Sequence, residues 1–92
     1  MDPAGLRALA VSIGSNVRRL REDSGATQAQ LAEACGVEPA HLQRVEYGTT
    51  APSLRLLQRL ANEFETDVWK LCKPGREPNP APRRPGRPKR TT

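Results

Sequence analysis

A length of 92 residues, 36% apolar side chains and one each of Trp, Tyr and Phe limit this chain to one small domain with a modest core. No apolar run reaches the length of a membrane span, so we expect a cytoplasmic protein without membrane contact. Cys35 and Cys72 lie far apart without a CxxC motif, so we expect free thiols, no metal and no cofactor. A single histidine among scattered carboxylates argues against an enzyme.

The net charge of +5 is confined to the C-terminal end of the chain. Residues 1–73 hold nine Lys and Arg against nine Asp and Glu, whereas residues 74–92 hold six basic residues and one acid. The same C-terminal segment contains six of the nine prolines and no large apolar residue. Because such a segment cannot bury enough surface to offset its ordering entropy, we predict a folded domain over residues 1–73 and a disordered basic tail over 74–92.

The first predicted helix follows a start signal at Asp2-Pro3. Apolar residues then recur every three or four positions along one face, at Leu6, Leu9, Ala10, Ile13, Val17 and Leu20. An alternative is that the regular core-facing part begins only near Val11, with Leu6 and Leu9 belonging to a looser lead-in. Ser24-Gly25 ends this helix in either case.

The second predicted helix begins at Thr27, which is placed to cap it, and Gln30 three residues later completes a capping box. Its inner face consists of Leu31, Ala32 and Cys35. Gly36 ends the helix because glycine adopts the left-handed conformation at little cost.

The third predicted helix has Pro39 in its first turn and ends at Gly48. Leu42 and Val45 are spaced for burial on one side of it. A helix of about eight residues is marginal alone, so the second and third helices must be held by packing.

Two more helices complete the pattern. Ser53 is placed to cap the fourth helix, whose predicted inner face is Leu54, Leu57, Leu60, Ala61 and Phe64. Asp67 is placed to cap a last short helix with Val68 and Leu71 facing the core. Since no alternating strand pattern occurs, the predicted fold class is all-α with five helices.

Five segments of the chain match one known family in order and spacing. They read IGSNVRRLRED, TQAQLAEACGV, LQRVEYG, APSLRLLQRLANEF and TDVWKL. Over residues 13–71 the chain therefore resembles the Xre/Cro-type, phage-repressor-like helix-turn-helix family. The resemblance implies a five-helix bundle whose second and third helices form a unit that binds double-stranded DNA.

The resemblance assigns DNA phosphate contacts to the starts of helices. It matches Gln28 to a glutamine whose amide donates to a phosphate oxygen beside free helix N–H groups. Thr27 is placed for a similar contact, as are Ser53 and Arg55 at the start of the fourth helix. Such contacts orient the protein without reading sequence. The alternative for Gln28 is an ordinary exposed helix position.

Base reading is assigned, by the same resemblance, to the third helix. The family positions that point at base edges match Pro39, Ala40 and Arg44, and His41 or Gln43 can reach a base or the backbone. Arg44 suits a bidentate contact to guanine, whereas Pro39 and Ala40 offer only apolar contact to thymine methyl groups. The alternative for His41 is a solvent-facing residue without a contact.

Other matched positions concern architecture. The resemblance pairs Arg21 with Glu46 as a salt bridge between the first and third helices. Glu65 stands where the family often has glycine, which predicts a left-handed backbone. Val68 and Trp69 lie at the end through which the family often forms homodimers, and a two-fold axis would place two reading helices about one DNA turn apart. The alternative for Trp69 is a side chain folded back over its own core.

The tail contains the sequence RRPGRPKR, which resembles an AT-hook. In such a motif a Gly-Arg-Pro core keeps the arm narrow while arginines enter the minor groove of A·T tracts. The residues concerned are Arg83, Arg84, Gly86, Arg87, Pro88, Lys89 and Arg90. Pro85 replaces the usual arginine before the glycine, so a sequence-independent basic arm is the alternative.

Together these features predict a sequence-specific DNA-binding transcription regulator of bacterial or phage type, associated with the nucleoid. We expect a homodimeric repressor whose basic tail adds minor-groove or phosphate contacts. Glu38 and Pro39 depart from the polar or basic residues usual at the head of the third helix. They leave open an antitoxin or bridging module that binds a protein partner. A third possibility is a nucleoid-type architectural binder that prefers A·T sequences.

Overall fold

The structure, a computed structural model, describes residues 3–74, with side chains from residue 5 onward. In chain order the helices are α1 (Pro3–Ser24), α2 (Gln28–Cys35), α3 (Pro39–Tyr47), α4 (Leu54–Glu63) and α5 (Val68–Cys72). The described residues contain no strand, which confirms the all-α prediction with five helices. The AT-hook-like motif and the rest of the tail after residue 74 lie outside the described residues.

The helix ends follow the capping chemistry predicted from the sequence. The Gln30 amide donates to Thr27 Oγ1 at 3.0 Å, and the Thr27 amide donates to Gln30 Oε1 at 2.9 Å, so the capping box is present. Gly36 and Gly48 end α2 and α3 with φ angles of 75° and 77°. Ser53 Oγ accepts the backbone N–H three residues later at 3.0 Å. These local signals confirm the predicted ends of the helices around the α2–α3 turn.

The first helix is longer than its buried part. It is continuous from Pro3, so its first turns are helical, but the first buried side chain from residue 5 onward is Ala10, close to the alternative start of the core-facing part near Val11. The prediction that Leu6 faces the core is wrong, because this side chain is 44% exposed, whereas Ala10 one turn later is buried. Since Leu6 lies on the same stripe as Ala10, its exposure means that the other helices cover the first turns of α1 incompletely.

The structure corrects the predicted inner face of α4 and qualifies the predicted cap of α5. Leu54 is 80% exposed, whereas Leu56 is buried in its place. Leu54 lies three residues before Leu57 and Leu56 lies four before Leu60, so spacing alone could not choose between them. Asp67 occupies the predicted N-cap position of α5, but its side chain makes no hydrogen bond to that helix.

The core is one cluster to which all five helices contribute. Its members are Ile13, Val17, Leu31, Ala32, Cys35, Leu42, Val45, Leu56, Leu57, Leu60, Ala61 and Leu71. Leu9, Leu20, Phe64 and Val68 are partly buried against it. Cys35 and Cys72 are free thiols, as predicted, and burial raises the pKa of the Cys35 thiol. No helix in the described part of the chain is long and apolar enough to cross a membrane.

Two backbone features lie where helices cross or end. A Cβ atom on Gly14 would overlap the carbonyl oxygen of Val45 and lie 2.6 Å from that of Glu46, so only glycine fits where α1 crosses α3. Glu65, after α4, has a φ of 54°, which confirms the predicted left-handed conformation at this non-glycine residue. The close crossing at Gly14 seats the last turn of α3 directly on α1.

Candidate nucleic-acid interface

The third helix has one buried face and one exposed face. Leu42, Val45 and Glu46 are buried against the bundle. The exposed side chains are Pro39, Ala40, Gln43, Arg44 and Tyr47. We call these five residues the outer face of α3. Four of the five residues predicted to contact bases belong to it.

His41, the remaining predicted base-contacting residue, is half-buried at the margin of the outer face. Its side chain is therefore not the fully solvent-facing one of the alternative. Whether His41 or any residue of the outer face touches a base stays a prediction.

Tyr47 is a member of the outer face that the sequence analysis missed. It is 60% exposed, and it lies three and four residues after Arg44 and Gln43. Positions at this spacing are neighbours on a helix surface. The helical spacing from Ala40, Gln43 and Arg44 was a sufficient signal for placing Tyr47 on this face. Gly48, which follows it, indicates only where the helix ends.

The starts of α2 and α4 carry the residues predicted to contact phosphate. Thr27 and Ser53 both use their hydroxyl oxygens as caps, so only the hydroxyl hydrogens remain for a phosphate oxygen. Arg55 is exposed and makes no side-chain hydrogen bond or ion pair within residues 5–74. The first N–H groups of each helix and its dipole also favour an anion at these two places.

Arg21 and Glu46 form the ion pair that the resemblance assigns to them. Arg21 Nε donates to Glu46 Oε2 at 2.7 Å and Arg21 Nη2 donates to Oε1 at 3.1 Å. Arg21 Nη1 also donates to the carbonyl of Ala26 at 3.0 Å. The hydrogen bond to Glu46 raises the pKa of the Arg21 guanidinium above its ordinary value. The side chains are 13% and 0% exposed, so the pair fastens α1 to the inner side of α3.

Gln28 is half-buried and takes part in the same cluster. Its amide nitrogen donates to Glu46 Oε1 at 2.9 Å. The alternative of an ordinary exposed helix position is therefore wrong. The predicted phosphate contact has to be made by an amide that is already held by α3.

Arg59 and Asn16 were missed by the sequence analysis because both bind backbone carbonyls far away in the chain. Arg59 Nη1 donates at 2.9 Å to the carbonyl of Cys35, at the end of α2. Asn16 is buried, and its Nδ2 donates to the carbonyls of Leu71 at 2.7 Å and Lys73 at 2.9 Å. Arg59 thus links α4 to the α2–α3 turn, and Asn16 fastens the end of α5 to α1.

Trp69 lies on the surface of α5. Its side chain is 60% exposed, so the alternative in which it folds back over its own core is wrong. The Nζ atoms of Lys70 and Lys73 lie 5.6 Å and 5.5 Å from the centre of its ring, within range of a cation–π interaction. Val68, the other predicted dimer residue, is partly buried against the core.

The five helices, the glycine-hinged pair α2–α3 and the exposed face of α3 define a helix-turn-helix domain. A family model described as a helix-turn-helix domain matches residues 12–68. The chain therefore belongs to the Xre/Cro-like helix-turn-helix family, as the sequence analysis inferred.

Individual relatives carry names of regulators. The chain is 33% identical over 56 residues to the HTH-type transcriptional regulator RamB of Mycobacterium tuberculosis. These 56 residues are 61% of this chain and only 12% of RamB. The structure of the clp gene regulator ClgR from Corynebacterium glutamicum is similar with a TM-score of 0.65 and 32% identity, over 68% of this chain and 67% of that one. The structure of the restriction-modification controller protein C.AhdI from Aeromonas hydrophila is similar with a TM-score of 0.64 and 29% identity. The match covers 67% of this chain and 94% of that one.

Proposed function

We propose that this chain is a DNA-binding transcription regulator that docks α3 in the major groove of double-stranded DNA. The observation that carries the proposal is the division of α3 into two faces. Glu46 on the inner face is bonded to α1, while Gln43 and Arg44 on the outer face project into solvent. A short helix held rigidly from behind is suited to enter a groove with its free side. The names of RamB and ClgR support the regulatory role.

Sequence reading is proposed for the side chains of the outer face. Arg44 is exposed, and its side chain has no hydrogen-bond or ion-pair partner within residues 5–74. It is therefore free to make the bidentate contact to guanine that arginine favours. Gln43 beside it can pair with adenine, and Pro39 and Ala40 can pack on thymine methyl groups. Because Glu38 and Pro39 stand at the start of α3, we expect fewer polar contacts to bases there than basic residues would make.

Backbone contacts are proposed at the starts of α2 and α4. There, Thr27 and Gln28 on one side and Ser53 and Arg55 on the other would clamp the strands that flank the groove. Each helix start offers unpaired N–H groups, so a phosphate oxygen gains hydrogen bonds and a favourable dipole. Such contacts would fix the orientation of α3 without depending on sequence.

A homodimer through α5 is proposed as the working unit, with Val68 and Trp69 at the two-fold axis. The support is the large exposed indole, which loses contact with water when two copies meet. Lys70 and Lys73 flank the same ring. Because these ammonium groups would approach those of the second copy, salt or DNA phosphates should strengthen the dimer. Bound at a promoter, such a dimer would act as a repressor by excluding the transcription machinery.

The basic tail is proposed to add affinity. The tail, with its six basic residues, begins directly after Lys73, whose carbonyl accepts a hydrogen bond from Asn16. The motif between Arg83 and Arg90 would enter the minor groove beside the site that α3 occupies, or bind phosphates along it.

Selection of bound duplexes from random DNA tests the proposal, using the full chain and a chain truncated after Lys73. We expect both chains to enrich the same near-palindromic motif, and the truncated chain to bind every sequence more weakly with a flatter salt dependence. An A·T-rich pool without a motif would support an architectural binder instead.

A protein-interaction module remains the second candidate because of the acidic start of α3. Glu38 precedes α3 as an exposed residue without a capping hydrogen bond, in a place where it would face phosphates. If the truncated chain fails to bind any duplex at low salt, this module is the better description. The tail alone would then account for nucleic-acid binding.

A further inference from the structure

The carboxylate of Glu46 binds two different side chains, and only one of them belongs to the ion pair. Oε2 accepts from Arg21 Nε at 2.7 Å, while Oε1 accepts from both Arg21 Nη2 at 3.1 Å and Gln28 Nε2 at 2.9 Å. The carboxylate has no exposed surface. One buried acid on α3 therefore connects α1 and the first residue of α2.

This arrangement determines which way the Gln28 amide points. A carboxylate can only accept hydrogen bonds, so the amide nitrogen of Gln28 has to face Glu46 and the amide oxygen has to face elsewhere. An amide nitrogen carries two hydrogens, and the second one has no acceptor within the described part of the chain. It belongs to the first residue of α2, beside helix N–H groups that favour an anion.

We propose that Glu46 is a positioning residue for DNA binding, which holds the Gln28 amide so that its second N–H is presented to a phosphate oxygen. This inference rests on the proposed function and names a residue that reaches DNA only through another. Because Glu46 belongs to α3, the phosphate contact at the start of α2 depends on a side chain of α3.

The role differs from that of a simple structural ion pair. Arg21 alone neutralises Glu46, so stability does not require Gln28 to face the carboxylate. If the carboxylate is replaced by an amide, the new oxygen is expected to stay with the Arg21 guanidinium. The new amide nitrogen then faces Gln28 and reverses its amide group. The phosphate-facing N–H moves away, although the fold keeps its other contacts.

A double-mutant cycle on the full chain tests this, with affinity measured by fluorescence anisotropy on the duplex recovered by the selection. Gln28→Met keeps the length of the side chain and removes its amide, and we expect roughly tenfold weaker binding, as for the loss of one hydrogen bond to a charged group. Glu46→Gln should weaken binding several-fold. The double variant should bind no more weakly than Gln28→Met alone, because both changes act on one contact. Additive losses, or wild-type affinity in folded Glu46→Gln, would overturn the inference.

Glu22→Gln is the matched control for the charge change. It removes an exposed i,i+4 pair in which Arg18 Nε lies 3.1 Å from Glu22 Oε2, without touching the cluster. Its affinity should stay within about twofold of wild type, in keeping with the small worth of exposed pairs. A loss in this control equal to that of Glu46→Gln would also overturn the inference, since net charge alone would then explain both.

A second measurement does not depend on how stable the variants are. In the wild-type chain, NMR resolves the two side-chain N–H resonances of Gln28. On adding the duplex, the resonance of the hydrogen bonded to Glu46 should stay nearly unchanged and the other should shift strongly. Two unmoved resonances, with shifts confined to the backbone amides of α2, would contradict the positioning role. If the wild-type chain enriches no motif and binds no duplex, the proposed function itself fails, which is a distinguishable result.

Discussion

Gly14 in α1 lies directly against the last turn of α3, where a Cβ atom would come within 2.6 Å of the carbonyl oxygen of Glu46. No side chain separates the two backbones at this crossing. The position of the outer face relative to the bundle therefore depends on the absence of one methyl group.

Gly14→Ala should destabilise the protein by about 1–3 kcal/mol, because the added carbon overlaps backbone that cannot move independently. The sign of the change in the free energy of unfolding is informative, because Gly→Ala at an open helix position stabilises a protein by up to about 1 kcal/mol. Urea unfolding monitored by circular dichroism measures the change. Ser15→Ala, at an exposed neighbouring position, is the control and should leave stability nearly unchanged. A Gly14→Ala variant as stable as wild type would show that the crossing is looser than described.

Asn16→Ala should release the end of α5 from α1. Its Nδ2 donates to the carbonyls of Leu71 and Lys73, and the loss of a buried hydrogen-bonding partner costs about 1–3 kcal/mol. Hydrogen exchange should accelerate in α5 more than in α2. Asn62→Ala removes an exposed amide that accepts from Gln58 and serves as the control. Uniform acceleration across all five helices would argue against a local attachment.

Stability should fall at alkaline pH because of Cys35. Burial raises the pKa of its thiol in the folded protein, so the folded state keeps the proton more tightly than the unfolded state. The stability that the protonated Cys35 thiol contributes is complete below the pKa of this thiol in the unfolded chain. It is lost as the pH rises through the raised pKa of the folded protein. Cys35→Ala should therefore show a smaller loss of stability above the ordinary pKa of a thiol, measured as unfolding free energy against pH. Equal slopes for both proteins would contradict this.

Arg44→Ala should reduce the preference for one base at one position of the selected motif, by about 1–3 kcal/mol if the contact to guanine is bidentate. Competition assays with duplexes substituted at each position measure it. Arg18→Ala removes the same charge from an exposed site on α1 and should affect all duplexes alike. An equal loss on every duplex for Arg44→Ala would place this arginine on the backbone instead.

Trp69→Ala should shift the protein towards monomer if α5 forms the dimer. The indole is 60% exposed, so its removal should leave the unfolding free energy within about 0.5 kcal/mol. Sedimentation equilibrium at several salt concentrations measures association. Leu54→Ala, at an 80% exposed apolar residue outside α5, is the control and should not change it. A dimer unaffected by Trp69→Ala would place the interface elsewhere.

Local chemistry explains what could be predicted from the sequence. The capping box at Thr27 and the left-handed glycines at Gly36 and Gly48 depend on residues close in the chain, and all three were predicted. Leu54 was misplaced because two adjacent stripes of α4 have the same spacing, and only packing distinguishes them.

The missed parts of the site are long-range contacts with backbone groups. Gly14, Asn16 and Arg59 each contact carbonyls at least 24 residues away, and composition or periodicity carries no trace of such contacts. The Gln28–Glu46 bond was missed for a related reason. The family resemblance gives each residue a separate role, and nothing in the sequence indicates that the two side chains meet.

The decisive experiment for docking of α3 is a structure of the full chain bound to its selected duplex. We expect α3 to lie in the major groove with Arg44 within hydrogen-bonding distance of a base edge and with Gln28 at a phosphate. A complex in which the outer face of α3 packs against another polypeptide, or points away from the nucleic acid, would contradict it.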